Sequence, residues 1–124
     1  MWTSWNPNPL GLKVGDCTIR ALCAVTGKDW YTVHYQLCEL SRELADMPSA
    51  DRVFAEFMRR IGFGKMRLLN FCPDCYTVSD FARDNPVGEF ILGPHEHVVA
   101  VINGDWYDSW DSGNTVPYYY FERR

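Results

Sequence analysis

The apolar residues of this chain change their periodicity once, close to Gly64, and this change limits the folds open to it. Before Gly64 they recur about every three or four residues, which is typical of helices with one buried face. After it, most segments are short runs rich in β-branched and aromatic residues, which is typical of strands. A chain with its helices first and most of its strands last is expected to fold as an α+β protein.

Helices are predicted where a capping residue precedes an apolar stripe. Asp16 and Asp29 each stand before such a stripe, and an N-cap side chain accepts a hydrogen bond from the first turn. A third helix is expected to open at Ser49 or Asp51. A short fourth helix is predicted over 77–85, "TVSDFARDN", where Thr and Asp have the spacing of a capping box.

The second half is expected to form an antiparallel sheet. Asn103-Gly104 favours a type I′ turn and therefore predicts a hairpin with a two-residue loop. Short apolar and aromatic runs before and after this turn supply the strands. The predicted strands are 65–71, 88–93, 97–102, 105–110 and 115–121.

The length of 124 residues fits one domain, with a core large enough to be stable without disulfides. We therefore expect a single domain in three consecutive parts. In this arrangement the N-terminal helices pack on the C-terminal antiparallel sheet. The parts are an extended arm over 1–15, a helical part over 16–62 and a mainly β part over 65–124.

Charge and composition exclude several classes of partner. The net charge is −4 and the basic residues are scattered, so no attraction to nucleic acid or to an anionic membrane is expected. The sequence contains neither a secretory signal pattern nor a long apolar run, and no membrane span is predicted. Five cysteines cannot all pair within one chain, which favours a reducing compartment and a cytoplasmic location.

Cys17 lies where the first helix is expected to begin, in the stretch "VGDCTIRALC". A helix N-terminus presents unpaired N–H groups and a partial positive charge, and both stabilise a thiolate. Cys23 shares the apolar face of Ile19 and Leu22 and is predicted to be a core residue. Asp16 raises the thiol pKa by repulsion unless it caps the helix, so a nucleophilic Cys17 requires a cationic histidine nearby.

His97 is the best placed of the three histidines to act as that base. His34 falls within the second predicted helix, and His95 follows a proline in a predicted loop. His97 opens the predicted strand "HVVAVI", where an imidazole can face a cleft while its strand is anchored in the core.

Asp108 is the acid that the hairpin register brings to His97. Counting back from the turn places Asp108 on the same face as His97 and diagonally across from it, within reach of the imidazole. Asp111 falls on the other face unless a bulge intervenes. Trp110 lies opposite His97, where it can shield the contact between imidazole and carboxylate from water.

Three segments in chain order resemble the papain-like cysteine peptidase superfamily: "GDC" at a helix start, "HVVAV" and "DSW". In the last, Asp replaces the asparagine of the family's Asn-Ser-Trp. The small size and the "GDC" also resemble the bacteriocin-leader-cleaving and cell-wall NlpC/P60-type branches. The resemblance implies a leading helix packed on an antiparallel sheet, with an active-site cleft between them.

The resemblance also implies roles for three residues. Cys17 is the nucleophile, His97 the general base and then acid, and Asp108 the group that orients His97. The implied reaction is hydrolysis of an amide in a peptide, an isopeptide or a cell-wall peptide, and neither a cofactor nor a metal is expected.

The chain departs from the papain pattern where the family supplies an oxyanion donor. Papain-like enzymes usually place a glutamine about six residues before the nucleophile, and that position here is Gly11. Asn8, or Asn6, is the candidate donor from the arm, together with the backbone N–H of Cys17. Asn-Pro pairs also form turns, so a purely structural role stays open for both asparagines.

Cys72 and Cys75, in "FCPDC", support two alternative functions. A Cys-x-x-Cys pair is typical of thiol redox proteins. Together with His95 and His97 it also offers four zinc ligands, and zinc binding by His97 excludes its use as a free base. A third alternative is a non-catalytic interaction module with the tyrosine-rich "VPYYYF" as its contact surface.

Overall fold

The computed structural model describes residues 1–67 and 76–123 and shows a mixed α+β fold, which confirms the predicted class. Four helices and six strands lie within these ranges. The helices are α1 (Cys17–Thr26), α2 (Trp30–Leu44), α3 (Asp51–Arg60) and α4 (Val78–Asp84). The strands are β1 (Trp2–Ser4), β2 (Phe63–Arg67), β3 (Glu89–Pro94), β4 (Val99–Ile102), β5 (Asp105–Asp108) and β6 (Pro117–Arg123).

The strands form one sheet in the order β1-β5-β4-β3-β6-β2. The pairs within the second half are antiparallel, and Ile102 lies opposite Asp105 as the predicted hairpin requires. Strand β1, however, runs parallel to β5, with Ser4 opposite Asp108. The expectation of a purely antiparallel sheet is therefore wrong, because three residues of the predicted arm add a parallel edge strand. So short a segment has no periodicity of its own, and its conformation comes from pairing with β5.

Most helix ends follow the local signals of the sequence. Gly27 ends α1 in the left-handed conformation, with φ 72°, and its N–H bonds to the carbonyl of Cys23. The Asp29 side chain accepts a hydrogen bond from the N–H of Thr32 and so caps α2. Both hydrogen bonds of the capping box are present at the start of α4. Two helix starts lack a side-chain cap: Asp16 makes no cap hydrogen bond to α1, and the N-cap residue of α3 is Ala50.

The sheet is covered on both faces. Helices α1 and α3 pack against one face, where Ile91, Ala100 and Phe121 are buried, and α2 packs on these two helices; α4 covers Leu92 and Val101 on the other face. Packing on the first face brings the start of α1 next to β4 and β5, which fixes where Cys17 lies. No helix in the described part of the chain has the length and apolar character needed to cross a membrane.

Candidate active site

Cys17 is the first residue of α1 and lines a cleft of about 440 Å³. The walls of this cleft come from the starts of α1 and α3, the loop over 94–98, and Tyr118 and Tyr119 of β6. The thiol is partly exposed, whereas Cys23 is 2 % exposed in the core, as its apolar neighbours predict. Only one of these two thiols is therefore open to a bound molecule.

His97 contacts Asp108 and lines the same cleft as Cys17. Its Nε2 lies 2.6 Å from Oδ2 of Asp108. This leaves Nδ1 as the ring nitrogen available to the Cys17 thiol, which lines the same cleft and whose pKa His97 lowers. His97 is not the first residue of its strand, since β4 begins at Val99. It lies in the preceding loop, where its N–H donates to the carbonyl of Pro94 at 3.2 Å.

Asp108 is 1 % exposed, and both of its carboxylate oxygens have partners. Oδ2 accepts from the Ser112 hydroxyl at 2.7 Å as well as contacting His97. Oδ1 accepts from the Ser109 N–H at 2.8 Å and from Nη2 of Arg20 at 3.2 Å. Burial raises the pKa of Asp108, but the hydrogen bonds from His97 and Ser112 outweigh it and hold the pKa below its usual value.

Asp111 does not reach His97. Its Oδ1 accepts from Nε1 of Trp106 at 2.9 Å instead. Trp110 packs on the imidazole of His97, with ring centroids 5.1 Å apart, although both residues lie beyond the paired part of the hairpin. The structure thus brings Cys17 and His97 together with Asp108, the acid that the register selected.

The ionisation of Cys17 and His97 is shifted in opposite directions. Burial raises the pKa of the Cys17 thiol, but hydrogen bonds from His97 and the Val98 backbone, with the charges of His97 and Arg20, bring the pKa below its usual value. Burial lowers the pKa of His97, but hydrogen bonds to Asp108 and Cys17 raise it to about 9. These two shifts favour a thiolate–imidazolium pair at neutral pH.

Asp16 and Arg20 form a buried ion pair that the sequence analysis missed. Oδ1 of Asp16 lies 2.5 Å from Nη1 of Arg20, and Oδ2 accepts from Nε1 of Trp30 at 2.8 Å. The repulsion expected between Asp16 and the Cys17 thiolate is therefore offset by a guanidinium rather than by helix capping. Two signals were available in the sequence: the four-residue spacing of the pair, and the position of Arg20 as the one charged residue of α1.

The structure does not bring Asn8 to the cleft. Its side-chain oxygen accepts hydrogen bonds from the N–H groups of Leu10 and Leu12, at 2.9 and 3.2 Å. The Asn6 amide donates to the carbonyl of Leu12 at 3.1 Å. Both asparagines stabilise the turn of the arm, so no contact supports Asn8 as an oxyanion donor. The N–H groups at the start of α1 are better candidates, because the Asp16 side chain does not bond to them.

A second groove of about 320 Å³ adjoins the cleft, and Thr18 and Ser49 line both. It runs along the start of α2, where the ring of His34 stacks on Trp30 at a centroid distance of 4.9 Å. His34 is an exposed helix residue and has no place in the contacts around Cys17.

Cys72 and Cys75 lie outside the described residues, so the redox and zinc alternatives stay predictions. Among residues 1–67 and 76–123, no group of three or more His, Cys, Asp or Glu side chains is arranged to hold a metal ion. His95 is exposed on the rim of the cleft, 3.9 Å from the carboxylate of Glu96.

Comparisons with protein-family models, with curated proteins and with solved structures find no match for this chain. The resemblance to papain-like peptidases therefore stays an expectation from short motifs.

Alkylation with iodoacetamide at a series of pH values tests the ionisation of Cys17. We expect Cys17 to react well below the pKa of about 8.5 of a free thiol, because His97 and Val98 stabilise its thiolate. Cys38 is the internal control, because its thiol is partly exposed like that of Cys17, whereas Cys23 is buried. Mass spectrometry assigns each modified site. Equal rates for Cys17 and Cys38 at neutral pH would contradict the thiolate assignment.

Proposed function

We propose that this chain is a papain-like cysteine hydrolase that cleaves an amide bond through Cys17, His97 and Asp108. One observation carries this proposal: a buried carboxylate contacts an imidazole, and this imidazole lines the same open cleft as a thiol whose pKa it lowers. Nucleophilic catalysis needs a nucleophile hydrogen-bonded to a base, and a third group that orients the base.

In the first half of the reaction, the Cys17 thiolate attacks the carbonyl carbon of the substrate. A C–S bond forms, and an electron pair moves onto the carbonyl oxygen. The N–H groups at the start of α1, including that of Cys17, are the available donors to this oxyanion. When the intermediate collapses, the C–N bond breaks and the imidazolium of His97 gives its proton to the leaving amine.

In the second half, water cleaves the acyl thioester. His97 is now neutral and takes a proton from the water while the water oxygen attacks the thioester carbonyl. The C–S bond then breaks, releasing a carboxylic acid and returning the Cys17 thiolate. The proton stays on His97, so the thiolate–imidazolium pair is restored and water is the only co-reactant consumed.

A peptide, an isopeptide or a cell-wall peptide is the substrate class that suits this cleft. The cleft and the adjoining groove share Thr18 and Ser49 beside the nucleophile. An extended chain therefore has room on more than one side of the scissile bond, which favours a peptide over a small isolated amide.

Acylation by p-nitrophenyl acetate tests the nucleophile without knowledge of the natural substrate. We expect a burst of p-nitrophenolate and an acetylated Cys17, both lost in Cys17→Ala. His97→Ala is expected to slow the burst at neutral pH by about tenfold for each unit by which the thiol pKa rises, because Cys17 loses the imidazolium that stabilises its thiolate. Cys38→Ala is the matched control, since Cys38 also contacts a histidine, His34, at 3.8 Å, and no described carboxylate contacts that histidine.

Digestion of a peptide mixture by the same variants, followed by mass spectrometry, tests the amide substrate. New termini should appear with the unaltered chain and with Cys38→Ala, and should be missing with Cys17→Ala. A burst, or peptide cleavage, that survives Cys17→Ala would overturn the proposed nucleophile.

The pH dependence of cleavage is expected to differ between an amide and an activated ester. With a peptide from the mixture, the rate should fall at acid pH as the Cys17 thiolate gains a proton. It should fall again as the pH rises through about 9, because His97 loses the proton that the leaving amine needs. The p-nitrophenolate of the ester needs no proton, so its release should lack the alkaline fall. An alkaline fall for the peptide near pH 6.5, the ordinary pKa of histidine, would contradict this assignment.

A further inference from the structure

We propose that Arg20 is a positioning residue of this site, which bridges Asp16 and Asp108 and so holds the acid against His97. The role rests on the proposed function, because it concerns the same nucleophile. Nη1 of Arg20 lies 2.5 Å from Oδ1 of Asp16, and Nη2 lies 3.2 Å from Oδ1 of Asp108. One guanidinium therefore joins the residue that precedes the nucleophile to the residue that orients the base.

The surroundings of Arg20 fix this bridge in place. The residue is 6 % exposed, and its backbone carbonyl accepts from Nε1 of Trp5 at 2.9 Å. Nη1 also donates to the carbonyl of Val14, at 3.3 Å. Nε is buried and has no partner in the described part of the chain, so the two outer nitrogens make all the side-chain contacts. Burying a guanidinium is unfavourable unless it is paired, and the two carboxylates satisfy that requirement.

Arg20 also determines which oxygen of Asp108 faces the imidazole. With Ser109 it holds Oδ1, which leaves Oδ2 to His97 and Ser112. Because Oδ1 of Asp108 is hydrogen-bonded, the carboxylate cannot rotate about the Cβ–Cγ bond without breaking these hydrogen bonds. Arg20 does not line the cleft, so it acts through Asp108 rather than by touching the substrate.

The charges around Arg20 alternate in sign. Asp16 and Asp108 contact it directly, and His97 and then Cys17 follow beyond Asp108. When Cys17 is a thiolate and His97 an imidazolium, the five groups alternate in charge. They are, in order, Asp16 (negative), Arg20 (positive), Asp108 (negative), His97 (positive) and Cys17 (negative). Removal of the guanidinium leaves the thiolate close to two buried carboxylates with a single imidazolium to balance them, which is electrostatically unfavourable.

Arg20→Lys tests this role because an ammonium keeps the charge but lacks the planar fork that reaches two carboxylates. We expect the pH midpoint of Cys17 alkylation to rise by up to about one unit. We also expect kcat for the cleaved peptide to fall at least about tenfold with KM nearly unchanged, since no substrate contact is lost. Arg83→Lys is the matched control, as Arg83 pairs with Asp80 and Asp84 on the exposed side of α4.

Asp16→Asn moves the same midpoint in the opposite direction. It removes a negative charge near the thiolate while an amide oxygen can still accept from Arg20, so the alkylation midpoint should fall. A general loosening of the fold would not shift the two variants in opposite directions. If Arg20→Lys fails to fold, as judged by circular dichroism, Asp16→Asn decides alone: a lower midpoint supports the bridge and an unchanged one overturns it.

The experiments distinguish a wrong role for Arg20 from a wrong hydrolase assignment. If the unaltered chain has a reactive Cys17 but Arg20→Lys keeps its midpoint and its kcat, the role of Arg20 is wrong and the hydrolase remains. If Cys17 of the unaltered chain reacts like an ordinary thiol, the proposed hydrolase is itself wrong, and with it the role of Arg20.

Discussion

The buried carboxylate of Asp108 is the constraint on which the rest of this structure depends. A carboxylate that is 1 % exposed must be compensated by charge and hydrogen bonds, because its transfer out of water is otherwise strongly unfavourable. Its partners come from separate parts of the chain: Arg20 from α1, His97 from the loop before β4, and Ser109 and Ser112 from the segment after β5. These contacts require α1 to lie against this end of the sheet, so fold and site are one arrangement.

The N-terminal arm belongs to the same arrangement. The carbonyl of Asp108 accepts from the N–H of Trp5 at 2.8 Å and from Nε1 of Trp2 at 3.1 Å. Nε1 of Trp5 also donates to the carbonyl of Arg20, so the arm connects α1 to β5 at Asp108. Strand β1 therefore anchors the end of β5, where a small displacement would separate Asp108 from His97.

What could be predicted from the sequence was largely local. Gly27, the cap at Asp29 and the turn at Asn103-Gly104 act within a few residues, so their signals are complete in a short stretch of chain. The same turn sets the register of β4 against β5, and counting along that register predicted that His97 and Asp108 lie close together, although the paired residues end at Ala100 and Tyr107. The contact of Arg20 with Asp108 and the pairing of β1 with β5 could not be found in this way, because they join residues 88 and about 100 positions apart along the chain. The neighbours of a buried charged group are determined by tertiary packing, and the periodicity of the sequence does not predict them.

The titration of the His97 ring, followed by NMR, tests the central claim most directly, since it reads the protonation of the imidazole itself and needs no substrate. We expect His97 to remain protonated through neutral pH and to titrate near 9 in the unaltered chain. The midpoint should be lower in Cys17→Ser, because a neutral hydroxyl replaces the thiolate that stabilises the imidazolium. Titration of His97 near 6.5 in both proteins would contradict the ion pair and the chemistry derived from it.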